Sequence, residues 1–71
     1  MYSFKVYQDG RCILETEEME LKKAHDYYLK FFRYYPSLRL FENGEKIPHG
    51  AVTRTLKITR AEMFSFIEKT N

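Results

Sequence analysis

The sequence predicts an α+β fold with elements in the order ββαβββα, and three observations predict it. The stretch from Thr16 to Pro36 has helical periodicity and holds six of the twelve aromatic residues. Two segments with apolar alternation carry the turn dipeptides Asp9-Gly10 and Asn43-Gly44. A capping box, Thr59-Arg60-Ala61-Glu62, opens a second helix near the C-terminus. The expected architecture is an antiparallel sheet of two hairpins plus a fifth strand. The long helix packs on one face and a short helix closes the chain.

Residues 2–7 alternate, with Tyr2, Phe4 and Val6 on one face and Ser3, Lys5 and Tyr7 on the other. Residues 11–16 alternate as well. A two-residue Asp9-Gly10 turn pairs Val6 with Ile13 and sends Cys12 and Leu14 to the face opposite Phe4 and Val6. A three-residue loop pairs Val6 with Cys12 and Phe4 with Leu14, and places all four on the buried face. The hydrophobic pattern favours the three-residue loop, with Gly10 in the left-handed position and Ile13 pointing outward beside Lys5 and Tyr7.

At about 100° per residue, Leu21, Ala24, Tyr28, Phe31, Phe32 and Tyr35 share the core face of the long helix. Thr16 is its expected N-cap, and Glu17, Glu18 and Glu20 complement the dipole of its first turn. Pro36 stops it. Beside the core face runs a mixed stripe of Lys23, Tyr27, Lys30 and Tyr34.

Residues 37–42 read as a strand, and Asn43-Gly44 pairs Phe41 with Lys46 and Leu40 with Ile47. Leu38 and Leu40 face the core and Phe41 the other side. Pro48-His49-Gly50 breaks the second arm, and residues 51–58 read as the fifth strand. Thr59 then caps a helix from Arg60 to Lys69, with Ile58 and Met63 as its hydrophobic staple. Met63, Phe66 and Ile67 are expected to pack inward, with Phe64 at the margin.

The chain has 71 residues, which makes residues 1–71 one small domain. A domain of this size buries only about 60% of its unfolded surface. Aromatics reach 17% of the residues, enough to fill a modest core and leave rings for a partner. Net charge is +2, too weak by itself to indicate nucleic acid, but residues 1–20 carry −3 and residues 21–71 carry +5. The single cysteine excludes an internal disulfide. No run has membrane-spanning length. The chain reads as a complete small cytoplasmic protein, with no membrane association.

No constellation carries a reaction. Cys12 reads as a buried, inert thiol, and His25 as a boundary residue of the helix. His25 and His49 lack partners at metal-ligand spacing, so neither a metal nor a cofactor is expected. No carboxylate pair is placed for acid–base work, and no glycine loop for phosphate. The chain is therefore expected not to be an enzyme.

Several features together resemble the short single-domain proteins encoded in bacteriophage genomes. They are the Asp9-Gly10 hairpin, the paired Tyr27-Tyr28, the Tyr35-Pro36 exit and the Asn43-Gly44 hairpin. The resemblance implies inhibition of a host enzyme or defence factor in the host cytoplasm. It assigns no named family and transfers no residue role.

The functional expectation is a protein-binding module, monomeric or weakly dimeric, that recognises an acidic partner surface. Its candidate contact residues are Lys23, Tyr27, Lys30 and Tyr34 on the helix flank and Tyr7, Ile13 and Phe41 on the outer sheet face. The alternative is a small RNA- or single-strand-binding protein, because cations interleaved with aromatics suit phosphates and unpaired bases.

Overall fold

Strand β1 (Tyr2–Gln8) lies inside the sheet and pairs antiparallel with β2 (Arg11–Glu15) on one edge and β3 (Leu38–Glu42) on the other. A two-residue β4 (Glu45–Lys46) completes the order β2-β1-β3-β4. The helices are α1 (Leu21–Phe31), α2 (Val52–Thr55) and α3 (Arg60–Thr70). This computed structural model describes residues 1–70, with side chains described for residues 1–65. The α+β class is as predicted, but the described residues form four strands rather than five, and the helices have other lengths.

The first hairpin corrects the predicted register. Asp9 and Gly10 both have positive φ, 53° and 78°, so the turn is the two-residue type I′ form. It pairs Gln8 with Arg11 and Tyr7 with Cys12. Continued unchanged, that register would set Val6 opposite Ile13 and turn Leu14 away from the core. A bulge intervenes instead, and Val6 pairs with Leu14 and Lys5 with Glu15. The turn dictates the first two rungs, the buried face dictates the next two, and Ile13 is the extra residue that reconciles them. Cys12 therefore shares a face with Tyr7 rather than Val6, and its thiol is exposed instead of buried.

The long helix is also corrected. Residues 16–20 are not helical: they continue along the edge of β1 beyond β2. Thr16 N–H donates to the Phe4 carbonyl (2.9 Å), and Phe4 N–H donates to Thr16 Oγ1 (2.9 Å). Tyr2 and Met19 exchange backbone bonds of 2.8 and 2.6 Å. Thr16 is thus a backbone partner of β1 and not an N-cap. Glu17, Glu18 and Glu20 precede the first helical turn, which contains no acid. At the other end Pro36 has no N–H to offer the Phe32 carbonyl. The Phe31 carbonyl takes both Tyr34 N–H (3.0 Å) and Tyr35 N–H (3.2 Å), and the chain unwinds there.

Among the described residues, the buried side chains lie on the helical side of the sheet. Phe4, Val6, Leu38 and Leu40 meet Ala24 and Tyr28 of α1, Val52 of α2, and Leu56 and Ile58. Two files of rings along α1 converge on Phe4: Tyr27, Phe31 and Tyr35, and Tyr28 with Phe32. Each file has the i, i+4 spacing of one helix face.

Among the described residues no fifth strand forms. His49–Ala51 is a 3₁₀ turn leading into α2. β-branched Val52, Thr53, Thr55 and Ile58 suggest a strand, but buried Val52 and Leu56 are four residues apart, the helical interval. Ile58 N–H donates to the Thr53 carbonyl (2.8 Å) and Lys57 N–H to that of Arg54 (3.2 Å). With Lys57 at φ 57°, this is a Schellman ending.

The second hairpin and the last helix begin as predicted. Asn43 (φ 51°) and Gly44 (φ 84°) form a type I′ turn that pairs Phe41 with Lys46. Ile47 N–H bonds the Leu40 carbonyl at 2.8 Å. Thr59 N–H donates to Glu62 Oε1 (3.0 Å) and Glu62 N–H to Thr59 Oγ1 (3.1 Å), the reciprocal bonds of a capping box. Ile58 is buried and Met63 half-buried against the core, while Phe64 is 59% exposed. Phe66 and Ile67 lie outside the residues whose side chains are described.

Two outcomes follow from this arrangement. Thr59→Ala removes the acceptor for the first-turn amide and should cost about 0.5–2 kcal/mol, read as a lower denaturant midpoint. Cys12 should react with a thiol reagent in the native protein at nearly the rate of the unfolded chain. Protection lifted only by denaturant would contradict the bulged register.

Candidate functional site

The seven residues singled out in the sequence fall on two separate surfaces. Lys23, Tyr27 and Lys30 lie along α1 and line an open groove of about 540 Å³. Its opposite wall is the extended segment that carries Glu17 and Glu18, and Asp26 also lines it. Three acids against two lysines leave this groove without the basic character the helix stripe alone suggests. Tyr27 is largely structural: its ring stacks on Phe4 at 4.7 Å and meets Phe31 at 4.6 Å. Burial, reinforced by Tyr35, raises its hydroxyl above the ordinary pKa of 10.0. Tyr34 sits past the end of α1, is 63% exposed, and lies beside the Arg33 guanidinium at 5.8 Å. The predicted four-residue stripe is therefore divided where the helix ends.

The second surface is the face of the sheet opposite the core. Strand alternation puts Ser3, Lys5 and Tyr7 of β1 there, together with Arg39 and Phe41 of β3. Phe41 stands between Ser3 and Lys46, and Tyr7 opposite Cys12. None of these residues is fully buried, and Ile13 is 54% exposed at the bulge beside them. Lys5 Nζ lies 4.7 Å from the centre of the Phe41 ring and 3.9 Å from Glu15 Oε2. At the far end Ser37 locks the Tyr7 backbone. Its hydroxyl donates to the Tyr7 carbonyl and accepts from Tyr7 N–H (3.2 Å).

The sequence places Tyr7, Ile13 and Phe41 outward, with Lys5 beside Tyr7 and Ile13 and Lys46 opposite Phe41, but it does not join the two hairpins or bring Arg39 to them. Alternation in residues 2–7 and the Asn43-Gly44 register already put Lys5 and Lys46 on this side. The missing link is the β1–β3 pairing, which sets Lys5 opposite Arg39 and has no signal in local sequence.

His25 has a defined role. Nδ1 lies 2.8 Å from the Leu56 carbonyl and Nε2 lies 2.8 Å from Glu62 Oε2, so the ring ties α1 to the start of α3. Both partners are acceptors, and only the imidazolium can donate to both at once. Burial pulls its pKa down, but the Leu56 carbonyl and the Glu62 carboxylate outweigh that and raise it above 6.5. The Thr59 backbone N–H, and then His25, hold Glu62 below 4.5.

No protein-family model, curated protein or solved structure matches this chain.

The His25 tie sets a pH dependence. Because its folded-state pKa is raised, His25 stabilises fully below pH 6.5, and this is lost as pH rises through the folded value. Glu62, with a lowered pKa, stabilises above pH 4.5, and this is lost as pH falls through its folded value. The tie is strongest between those limits. Denaturant midpoints should decline on the alkaline side of the window, and His25→Asn should flatten that decline. Equal slopes for both proteins would mean the tie does not form in solution.

Proposed function

We propose that this chain is a small non-enzymatic module that binds a partner protein through the open face of its sheet. The observation that carries the reading is an uncovered sheet face where Tyr7, Ile13 and Phe41 stand among Lys5, Arg39 and Lys46. Semi-rigid rings supply contact area at small entropic cost, and surrounding cations steer an acidic partner. The sheet edges favour face binding over strand addition: β2 is bulged at Ile13 and β4 has two residues. The helix flank is the weaker surface, because its lysines face acids across the groove and Tyr27 belongs to the core. The resemblance to phage-encoded proteins supports a host bacterial protein as the target and inhibition as the consequence.

A single-stranded nucleic acid is the second reading. An aromatic ring between cations on a four-stranded sheet suits a stacked base and its phosphates.

The test is capture from a bacterial lysate, with and without nuclease, using folded variants. Wild type and Tyr34→Ala should retain the same protein after nuclease treatment. Phe41→Ala should weaken binding of that purified protein by about 1–2 kcal/mol, the range of a modest hot spot. Loss of capture on nuclease treatment would transfer the function to nucleic acid.

A further inference from the structure

We propose that Lys5, Arg39 and Lys46, grouped around Phe41, form a carboxylate-recognition site. Its occupant is an extended acidic segment of the partner protein, with carboxylates flanking an apolar or aromatic side chain. This inference rests on the open face being the docking surface, and adds which chemistry it takes.

Lys5 and Arg39 are direct cross-strand partners. Like charges at that position repel and weaken a sheet. Folding alone gives no reason to place them there, and their surroundings relieve the repulsion only in part. Lys5 reaches Glu15 at 3.9 Å, but that carboxylate side chain is 62% exposed and solvent-screened. Arg39 forms no ion pair with an acid among the described residues. Its Nη1 makes only a long contact, 3.4 Å, with the carbonyl of neighbouring Leu38. Arg39 is thus a half-buried residue on the open side of the sheet, and its guanidinium carries five donors in a planar fork. A carboxylate lying between Lys5 and Arg39 would complete that fork and cancel the repulsion.

Phe41 gives the site its second specificity. Lys5 covers part of its ring and Lys46 stands opposite on β4, so an apolar side chain packing there has cations on both flanks. Discrete carboxylates also suit this surface better than a phosphate chain. A strand crossing from β3 over β1 would meet the carboxylate oxygens of Glu15, the cross-strand partner of Lys5 on β2. A peptide can place its charges to avoid them, whereas a nucleic acid carries one at every nucleotide.

The probe is a fluorescein-labelled peptide of glutamates around one central phenylalanine, titrated with the full chain at low and moderate salt. Its glutamine counterpart and an oligothymidylate serve as controls. The acidic peptide should bind, more weakly as salt rises, and the glutamine peptide should not. Arg39→Gln and Lys5→Gln should each weaken binding roughly tenfold, as for loss of a charge-assisted hydrogen bond. Tyr34→Ala should leave it unchanged. Arg39→Gln should also leave folding stability equal or higher, because it removes a repulsion; a merely structural arginine would lower it. Unaltered peptide binding by Arg39→Gln, or tighter binding of the oligothymidylate, would overturn the proposal. Lysate capture separates the two readings. Loss on Phe41→Ser with retention by Arg39→Gln sinks the carboxylate site alone, and retention by both sinks the docking face itself.

Discussion

The structure depends on satisfying both edges of β1. Phe4 and Val6 are buried in its centre, so the backbone amides and carbonyls beside them cannot rely on water. On one edge β3 supplies five consecutive register partners, from Tyr2–Glu42 to Val6–Leu38. On the other, β2 reaches only as far as Lys5. The remaining groups at Phe4 and Tyr2 are met by Thr16 and Met19. That demand takes residues 16–20 out of the helix that their composition favours. Intrinsic helix preferences differ by tenths of a kcal/mol per residue, while each unpaired buried backbone group costs about 1–3 kcal/mol.

The same strand sets the arrangement of the aromatic core. With the chain held along β1 as far as Met19, α1 starts at Leu21 and passes over Phe4. Both files of α1 rings begin there. A small domain has few residues to bury, and large stacked rings let the nine buried hydrophobic residues among those described, with their half-buried neighbours, close one face of the sheet. The C-terminal region completes that layer through Leu56 and Ile58, with His25 bridging the junction to Glu62. Tyr27, a flank residue on a helical wheel, and His25, a boundary residue, are thereby drawn into packing and bonding.

Committing all the described helices to one face leaves the other to side chains of alternating parity on β1 and β3. A bulge on one edge and a two-residue strand on the other discourage further strand pairing, which leaves the open face rather than the edges for contact. Its basic and aromatic character is assembled from three strands. None of those strands is strongly basic alone, which separates it from a charge run visible in sequence.

The sequence by itself determined what short-range chemistry controls. Asn43-Gly44 imposed its turn because both residues must adopt positive φ, and Thr59 and Glu62 formed their box because the partners lie three residues apart. Alternation placed Lys5, Tyr7 and Phe41 on the outer face for the same local reason. Only the tertiary structure decided the rest. The Ile13 bulge resolves a conflict between a turn and a buried face that neither segment reveals alone. Thr16 left the helix because a distant backbone required it. The segment 51–58 forms the short helix Val52–Thr55 and a turn instead of a strand, because Val52 and Leu56 reach the core at the helical interval and β4 ends too soon to pair with another strand. The opposition of Lys5 and Arg39 exists only because β1 and β3, thirty residues apart in sequence, are hydrogen-bonded neighbours. Long-range pairing is selected by the free energy of the whole sheet and leaves little trace in any single stretch of residues.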